Sequence, residues 1–307
     1  MDTNQQTIDV ILNGFGIEEK KLLGQGGEGY VYDYTIYEVI KVFKEGDISY
    51  LQAIQNFLIS ISKKELPFAI PSILEIDEYK HLVYTIEKKL TGVTFRQTFL
   101  EAKEADKKRL LRNYWEAACK LSTIDLSEYP YGQPIQSSEQ IQSDIWMGYL
   151  EAKLEQKLHM ASSDIAQDVH DYKTKIVRFK QFMKMQLDGT EKKLVHADYY
   201  IDNVLMDSTG TVSAVLDFGV HTVVGDLMMD IAGSIAVLTQ FQDITKAQMQ
   251  YLRDYAENKY GETIQIKIDL YILYFSFYFA YTKATDRGTY DWCIEQLNNR
   301  ALWSKYL

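Results

Sequence analysis

Residues 195–219 constrain this chain most: they read Val195-His196-Ala197-Asp198-Tyr199-Tyr200-Ile201-Asp202-Asn203-Val204-Leu205-Met206, then Asp207-Ser208-Thr209-Gly210, then an apolar run into Asp217-Phe218-Gly219. Asp-Ser-Thr-Gly is turn chemistry between two apolar segments, so residues 204–206 and 212–216 are expected to pair as a hairpin. That pairing sets Asn203 and Asp217 side by side at its open end and holds Asp198 in the loop just before. Singly, Asp and Asn are ordinary turn formers. Three such side chains converging beside an apolar hairpin point instead to chemistry. Mg²⁺ takes oxygen ligands, usually one or two carboxylates plus substrate phosphates, which suits Asn203 and Asp217. Asp198 is left to accept a hydroxyl proton. Phosphoryl transfer fits such a set, because there the protein mainly positions substrates and neutralises charge.

A second motif lies upstream. Gly24-Gln25-Gly26-Gly27-Glu28-Gly29-Tyr30-Val31 has the form G-x-G-x-x-G-x-V. In the dinucleotide-binding version the last glycine opens a helix, whereas the residues after Gly29 are aromatic and β-branched and should continue as a strand. A glycine turn between two strands can fold over a nucleotide, with Gly24, Gly26 and Gly29 letting backbone N–H groups approach phosphate oxygens; a plain hairpin turn is the plainer alternative. On the next strand, alternation puts Lys41 on one face with Val39 and Phe43, and Lys44 on the other with Ile40 and Val42. A lysine among apolar residues needs an anionic partner, which nucleotide phosphates would supply, with Val31 and Val39 covering the adenine. Lys44 is the alternative, more simply a solvated strand end.

The 307 residues suggest about two lobes or one large domain. Helices are expected over residues 3–12 and 48–62, strands over 20–44 and around Asp77-Glu78 in 72–90, and long amphipathic helices over 95–121 and 138–185, the latter broken near Ala161-Ser162-Ser163. Helices follow from about Asp226 to the end. Residues 1–90 thus read as a small strand-rich nucleotide-binding lobe and 91–307 as a larger helical catalytic and substrate-binding lobe. Cys119 and Cys293 form no framework, and no secretory signal is visible, so the expected compartment is the cytoplasm. The apolar stretch 270–280 is too short to span a membrane. The net charge of −10 disfavours nucleic acid and is compatible with a cationic small-molecule partner. A monomer is expected, with a dimer left open.

Together, His196-x-Asp198-x4-Asn203, Asp217-Phe218-Gly219 and the following Gly225-Asp226-x3-Asp230-Ile231-Ala232 resemble the core of the aminoglycoside phosphotransferase and choline kinase-like family, small-molecule kinases of the protein-kinase-like fold. Glu87-Lys88-Lys89-Leu90-Thr91-Gly92 resembles the hinge between its lobes. The resemblance runs from about Leu22 to Ala232. It implies an α+β, two-lobed fold with a small antiparallel-sheet N-lobe and a larger, mainly helical C-lobe. It further implies Asp198 as catalytic base, Asn203 and Asp217 as holders of Mg²⁺, Lys41 on the phosphates of ATP or GTP, and the hinge backbone at Glu87 and Lys89 on the adenine. The acceptor would be a small-molecule hydroxyl, aminoglycoside first and choline, a sugar, a macrolide or homoserine next, with antibiotic resistance as the corresponding role. His196 and Asp230 are expected to brace the loop and Asp226 to cap a helix, while the other histidines show no metal-ligand spacing. The sequence departs from the family in two places, the first being a glycine loop closer to the protein-kinase form than to the serine-bearing loop common in antibiotic kinases. In the second, residues 48–62 contain no Asp or Glu to pair with Lys41, so Glu65 reaches back, a glutamine (Gln52 or Gln55) substitutes, or the lysine is another one. That gap keeps a nucleotide-binding pseudo-enzyme with a scaffolding role as the rival reading.

Overall fold

The computed structural model describes residues 3–138, 140–187 and 191–305. Among them β1 (Leu22–Gln25), β2 (Gly29–Asp33), β3 (Glu38–Phe43), β4 (Ile73–Tyr79) and β5 (Leu82–Lys88) form an antiparallel sheet in the order β1-β2-β3-β5-β4. Alternation sorts its side chains. Tyr32, Ile40, Val42, Leu82 and Ile86 pack against Ile8, Ile11 and Leu12 of α1 (Thr3–Gly14). Phe43, Ile73 and Val83 face the opposite way, into the main core that α2 (Ile48–Ser62) enters through Leu51, Ile54, Phe57, Leu58 and Ile61. That three-and-four spacing makes one apolar face, each side chain contributing about 1.5–3 kcal/mol on burial. Helix α2 starts where it does because the Asp47 carboxylate accepts the N–H groups of Ser49 and Tyr50.

Helices dominate the rest: α3 (Phe95–Glu101), α4 (Glu104–Leu121), α5 (Trp146–Asp168), α6 (Tyr172–Gln186), α7 (Met228–Ile231), α8 (Gly233–Leu238), α9 (Lys246–Tyr260), α10 (Thr263–Tyr278), α11 (Arg287–Asn298) and α12 (Arg300–Ser304). Helix α10 is buried along most of its length and packs against α5, α8, α9 and α11. No described helix is long and apolar enough to cross a membrane. Two small sheets sit among these helices. In one, β6 (Val93–Thr94), β10 (Val204–Met206) and β11 (Val212–Val215) run in the order β11-β10-β6; in the other, β7 (Tyr131–Gly132), β8 (Gln142–Ser143), β9 (Lys193–Val195) and β12 (Val223–Gly225) run β8-β7-β12-β9. The result is a two-lobed α+β molecule.

Three local expectations need correction. The β4–β5 turn falls at Lys80, with φ +57°, and not at Asp77-Glu78, which lies inside β4 where Asp77 accepts a hydrogen bond from the Tyr84 hydroxyl. The expected helix does not start at Ser138: residues 140–145 are not helical, Gln142–Ser143 pairs with β7, and α5 begins only at Trp146. Helix α5 also runs unbroken through Ala161 to Asp168, and the break comes at residues 169–171. Asn298, at the end of α11, makes that break, its side chain accepting from His170 N–H and donating to the Asp168 carbonyl.

Candidate active site

The expected hairpin forms, with Val204 opposite Val215 and a bulge near Met206. The Leu216 N–H bonds the Asn203 carbonyl at 2.7 Å, which fixes Asn203 next to the start of the Asp217 segment. Asn203 then reaches back, its Nδ2 donating to the Asp198 carbonyl at 3.0 Å and to Asp198 Oδ2 at 3.2 Å. Burial pushes the Asp198 carboxyl up to about 7, and the charge of Asp217 adds to it while the Asn203 bond opposes it. Asp217 is raised by burial and by Glu28, with Lys41 acting the other way. These effects put Asp198, Asp217, Glu28 and Lys41 in one neighbourhood, with Asp198 and Lys41 half-buried and Glu28 and Asp217 more exposed.

The loop that carries Asp198 is held by buried polar groups. Ala197 has φ +58° and Asp217 φ +64°, a region that costs a non-glycine residue about 1 kcal/mol or more. Asp230 restrains the first of these, Oδ2 accepting from His196 N–H at 2.6 Å and Oδ1 from Ala197 N–H at 3.0 Å. His196 is fully buried; its Nε2 lies 2.7 Å from the Leu216 carbonyl and its Nδ1 accepts from the Asp198 N–H at 3.3 Å. This assigns the neutral Nε2–H tautomer, and burial lowers the ring to about 4. The ring is thus engaged with backbone on both nitrogens. Asp226 accepts from Met228 N–H at 2.9 Å at the start of α7. From outside, Arg96 grips Asp202 through Nε and Nη2, and Tyr114 and Tyr199 each donate a hydroxyl to the other's carbonyl.

Across the cleft, β2 follows Gly29 directly, so the helix required by a dinucleotide-binding turn is absent there. A Cβ at Gly29 would strike the Val42 carbonyl, whereas Gly24 and Gly26 face open space within 4 Å, leaving the backbone approachable. Val31 pairs with Lys41 and Lys41 with Thr85, while Val39 pairs with Glu87, so Val31, Val39, Lys41 and Glu87 share the face that includes Phe43. Lys44 is exposed and fastens the loop, its Nζ donating to the Gly26 carbonyl at 2.8 Å and its N–H to the Glu28 carbonyl. Lys41 is the inward lysine. Its Nζ lies 2.7 Å from Glu28 Oε2, and although burial works against its charge, Glu28, Glu87 and Asp217 together hold it above its ordinary value. Neither Glu65 nor a glutamine partners it: Gln55 donates to the Ile73 carbonyl. At the hinge, the N–H groups of Lys88 and Lys89 bond the Ser72 and Tyr37 carbonyls, and the Lys89 ammonium is 2.5 Å from Asp33.

The sequence pattern assigns Glu28 no role, although a carboxylate is out of place in a loop read as cradling phosphates. It also misses an aromatic wall on the helical side. Tyr278 OH lies 3.3 Å from His221 Nδ1, and Lys157 Nζ sits 4.4 Å from the Tyr281 ring centre and 5.4 Å from that of Tyr278. Tyr278 and Tyr281 are raised chiefly by burial, with the Asp198 charge contributing to both, so this wall stands near the carboxylate.

The fold and the site define a kinase-like phosphotransferase acting on small molecules. The chain belongs to the phosphotransferase enzyme family, whose profile matches residues 39–263. No curated protein matches it by sequence. Among solved structures it is similar to the GDP complex of aminoglycoside 2'-phosphotransferase-IIIa, with TM-score 0.67 and 15% identity over 99% of this chain and 100% of that one. It is also similar to the streptomycin-ATP-APH(2")-IIa ternary complex, with TM-score 0.64 and 17% identity over 97% and 96% of the two chains. A macrolide 2'-phosphotransferase from Brachybacterium faecium gives TM-score 0.59 at 13% identity over 95% of this chain and 98% of that one.

Proposed function

We propose that the protein transfers the γ-phosphate of ATP or GTP to a hydroxyl of a small molecule, with Asp198 as the catalytic base. The observation that carries this reading is the half-buried Asp198 carboxylate, raised to about 7 and bound by Asn203 on a loop braced by Asp230. Such a carboxylate binds a proton readily near neutral pH. In the step, the acceptor oxygen bonds to the γ-phosphorus, its proton passes to Asp198, and the bond from the γ-phosphorus to the bridging oxygen breaks to release the nucleoside diphosphate. Lys41 donates to the phosphates, the glycine loop covers them, Val31 and Val39 flank the base, and the 87–89 strand end lies at the hinge. The lobe of residues 1–90 would hold the nucleotide and that of 91–307 the acceptor.

Asn203 and Asp217 suit Mg²⁺. Burial raises both Asp198 and Asp217, with the Asp217 charge adding at Asp198 and the Glu28 and Glu87 charges at Asp217, and the excess of carboxylate over ammonium there fits a divalent cation. Two protein ligands leave the rest of the Mg²⁺ shell to substrate phosphates and water. When bound, it would neutralise charge on the phosphates.

The acidic chain makes an aminoglycoside one acceptor to test. The wall formed by Tyr278, Tyr281 and Lys157, with buried Lys153 on the same helix, favours a second: a hydroxylated ring without multiple positive charges, such as a sugar or macrolide. Thermal-shift and turnover measurements with Mg-nucleotide and a panel of both kinds test the function. Phosphoryl transfer to any member supports it; tight nucleotide binding with no transfer across the panel favours the scaffolding pseudo-enzyme.

A further inference from the structure

Kinase-like sites align their nucleotide lysine with a carboxylate on the helix that follows it, and α2 carries none. What α2 presents here is Tyr50, whose hydroxyl is buried with no hydrogen-bond partner. Burial first, and then the charges of Glu28 and Asp217, push that phenol up. A Cβ added at Gly219 would stand 3.5 Å from Tyr50 OH and 3.9 Å from Glu28 Oε1. The Glu28 carboxylate therefore lies between Lys41, the Tyr50 side of α2 and the Asp217-Phe218-Gly219 segment, although its backbone belongs to the glycine loop.

We propose that Glu28 is the positioning residue for Lys41, supplying from the glycine loop the carboxylate that α2 lacks and thereby coupling lysine alignment to closure of the loop. The ammonium has three donors and Glu28 takes one of them at 2.7 Å, which leaves donors for a phosphate. The loop is built to hold the carboxylate there. The Lys44 N–H bonds the Glu28 carbonyl at 2.9 Å, the Lys44 ammonium bonds the Gly26 carbonyl, and Gly26 N–H closes the turn onto Gly29. Lifting the loop removes the partner of Lys41 in the same motion. A lysine paired from a helix would keep its alignment with the loop open; this one would not.

The inference rests on the proposed function, and a double-mutant cycle on the full chain separates the two. Mg-nucleotide affinity is measured by calorimetry for the wild type, Glu28→Gln, Lys41→Met and the double variant, with kcat and nucleotide KM where an acceptor is turned over and a melting curve to confirm folding. Glu28→Gln should weaken Mg-nucleotide binding about tenfold, the scale of a charge-assisted hydrogen bond. It should have little further effect on the Lys41→Met background, and Glu28→Asp should restore part of the loss. Tighter nucleotide binding by Glu28→Gln would overturn the inference, because the carboxylate would then be competing for the place of a phosphate. So would a full tenfold loss that persists without Lys41, which would mean a structural role only. A wild type that binds no Mg-nucleotide would refute the proposed function itself, and this inference with it.

Discussion

Replacing Asp230 by alanine should show how the reactive loop is kept in place. Asp230 is 1% exposed and lies on α7, yet both of its oxygens serve the loop, at 2.6 Å from His196 N and 3.0 Å from Ala197 N. The variant strands two N–H donors, that of His196 buried and that of Ala197 partly so, each costing up to about 1–3 kcal/mol. Against that, burial pushes the Asp230 carboxyl up to about 7, so removing it relieves a desolvation cost. The net loss should be about 2–4 kcal/mol. Ala197 would then be free to leave its positive φ, releasing roughly 1 kcal/mol of strain and carrying Asp198 out of position. Asp230→Asn keeps one acceptor and should lose about half as much. Urea denaturation gives the stability, and turnover at saturating nucleotide gives the functional loss. A stability change below about 1 kcal/mol with normal turnover would refute the reasoning.

Burial lowers both His196 and His221 to about 4, Lys157 and Lys153 adding to the effect at His221. The unfolded chain, with histidine near 6.5, then binds more protons than the folded one between those values. Stability should therefore be complete above about pH 6.5 and fall by about 3 kcal/mol per histidine as the pH drops toward 4. Urea midpoints against pH should show His221→Gln losing roughly half of that acid slope; an unchanged slope contradicts neutral burial. On the acceptor side, Lys157→Glu should shift kcat/KM toward polycationic acceptors by about tenfold relative to neutral ones, read from paired kinetics, and no shift would remove the aromatic wall from the acceptor site.

The parts of the fold legible in sequence were those set by local chemistry. Alternation placed Lys41 with Val39 and Phe43, the turn residues after Met206 placed the hairpin, and the apolar spacing of α2 gave its bounds. The unread parts depend on distant partners. Asn298 decides where α5 stops, and nothing near Asp168 announces it. Strands β7, β8, β9 and β12 are two or three residues long, too short for a period to show. The same holds at the site. The hairpin brought Asp198, Asn203 and Asp217 together from sequence alone, whereas the pairing of Lys41 with Glu28 appears only once the glycine loop is folded over β3. The aromatic wall joins residues from α5, the end of α10 and the turn after it, and the segment after Asp217, which share no motif.

The most direct test of the central claim compares phosphoryl transfer and Mg-nucleotide affinity in Asp198→Ala and Asp217→Ala beside the wild type. Asp198→Ala should lose transfer by about 10²–10⁴-fold while its nucleotide Kd stays within about threefold, and Asp217→Ala should lose the Mg²⁺-dependent part of binding. Near-normal transfer by Asp198→Ala would contradict the account.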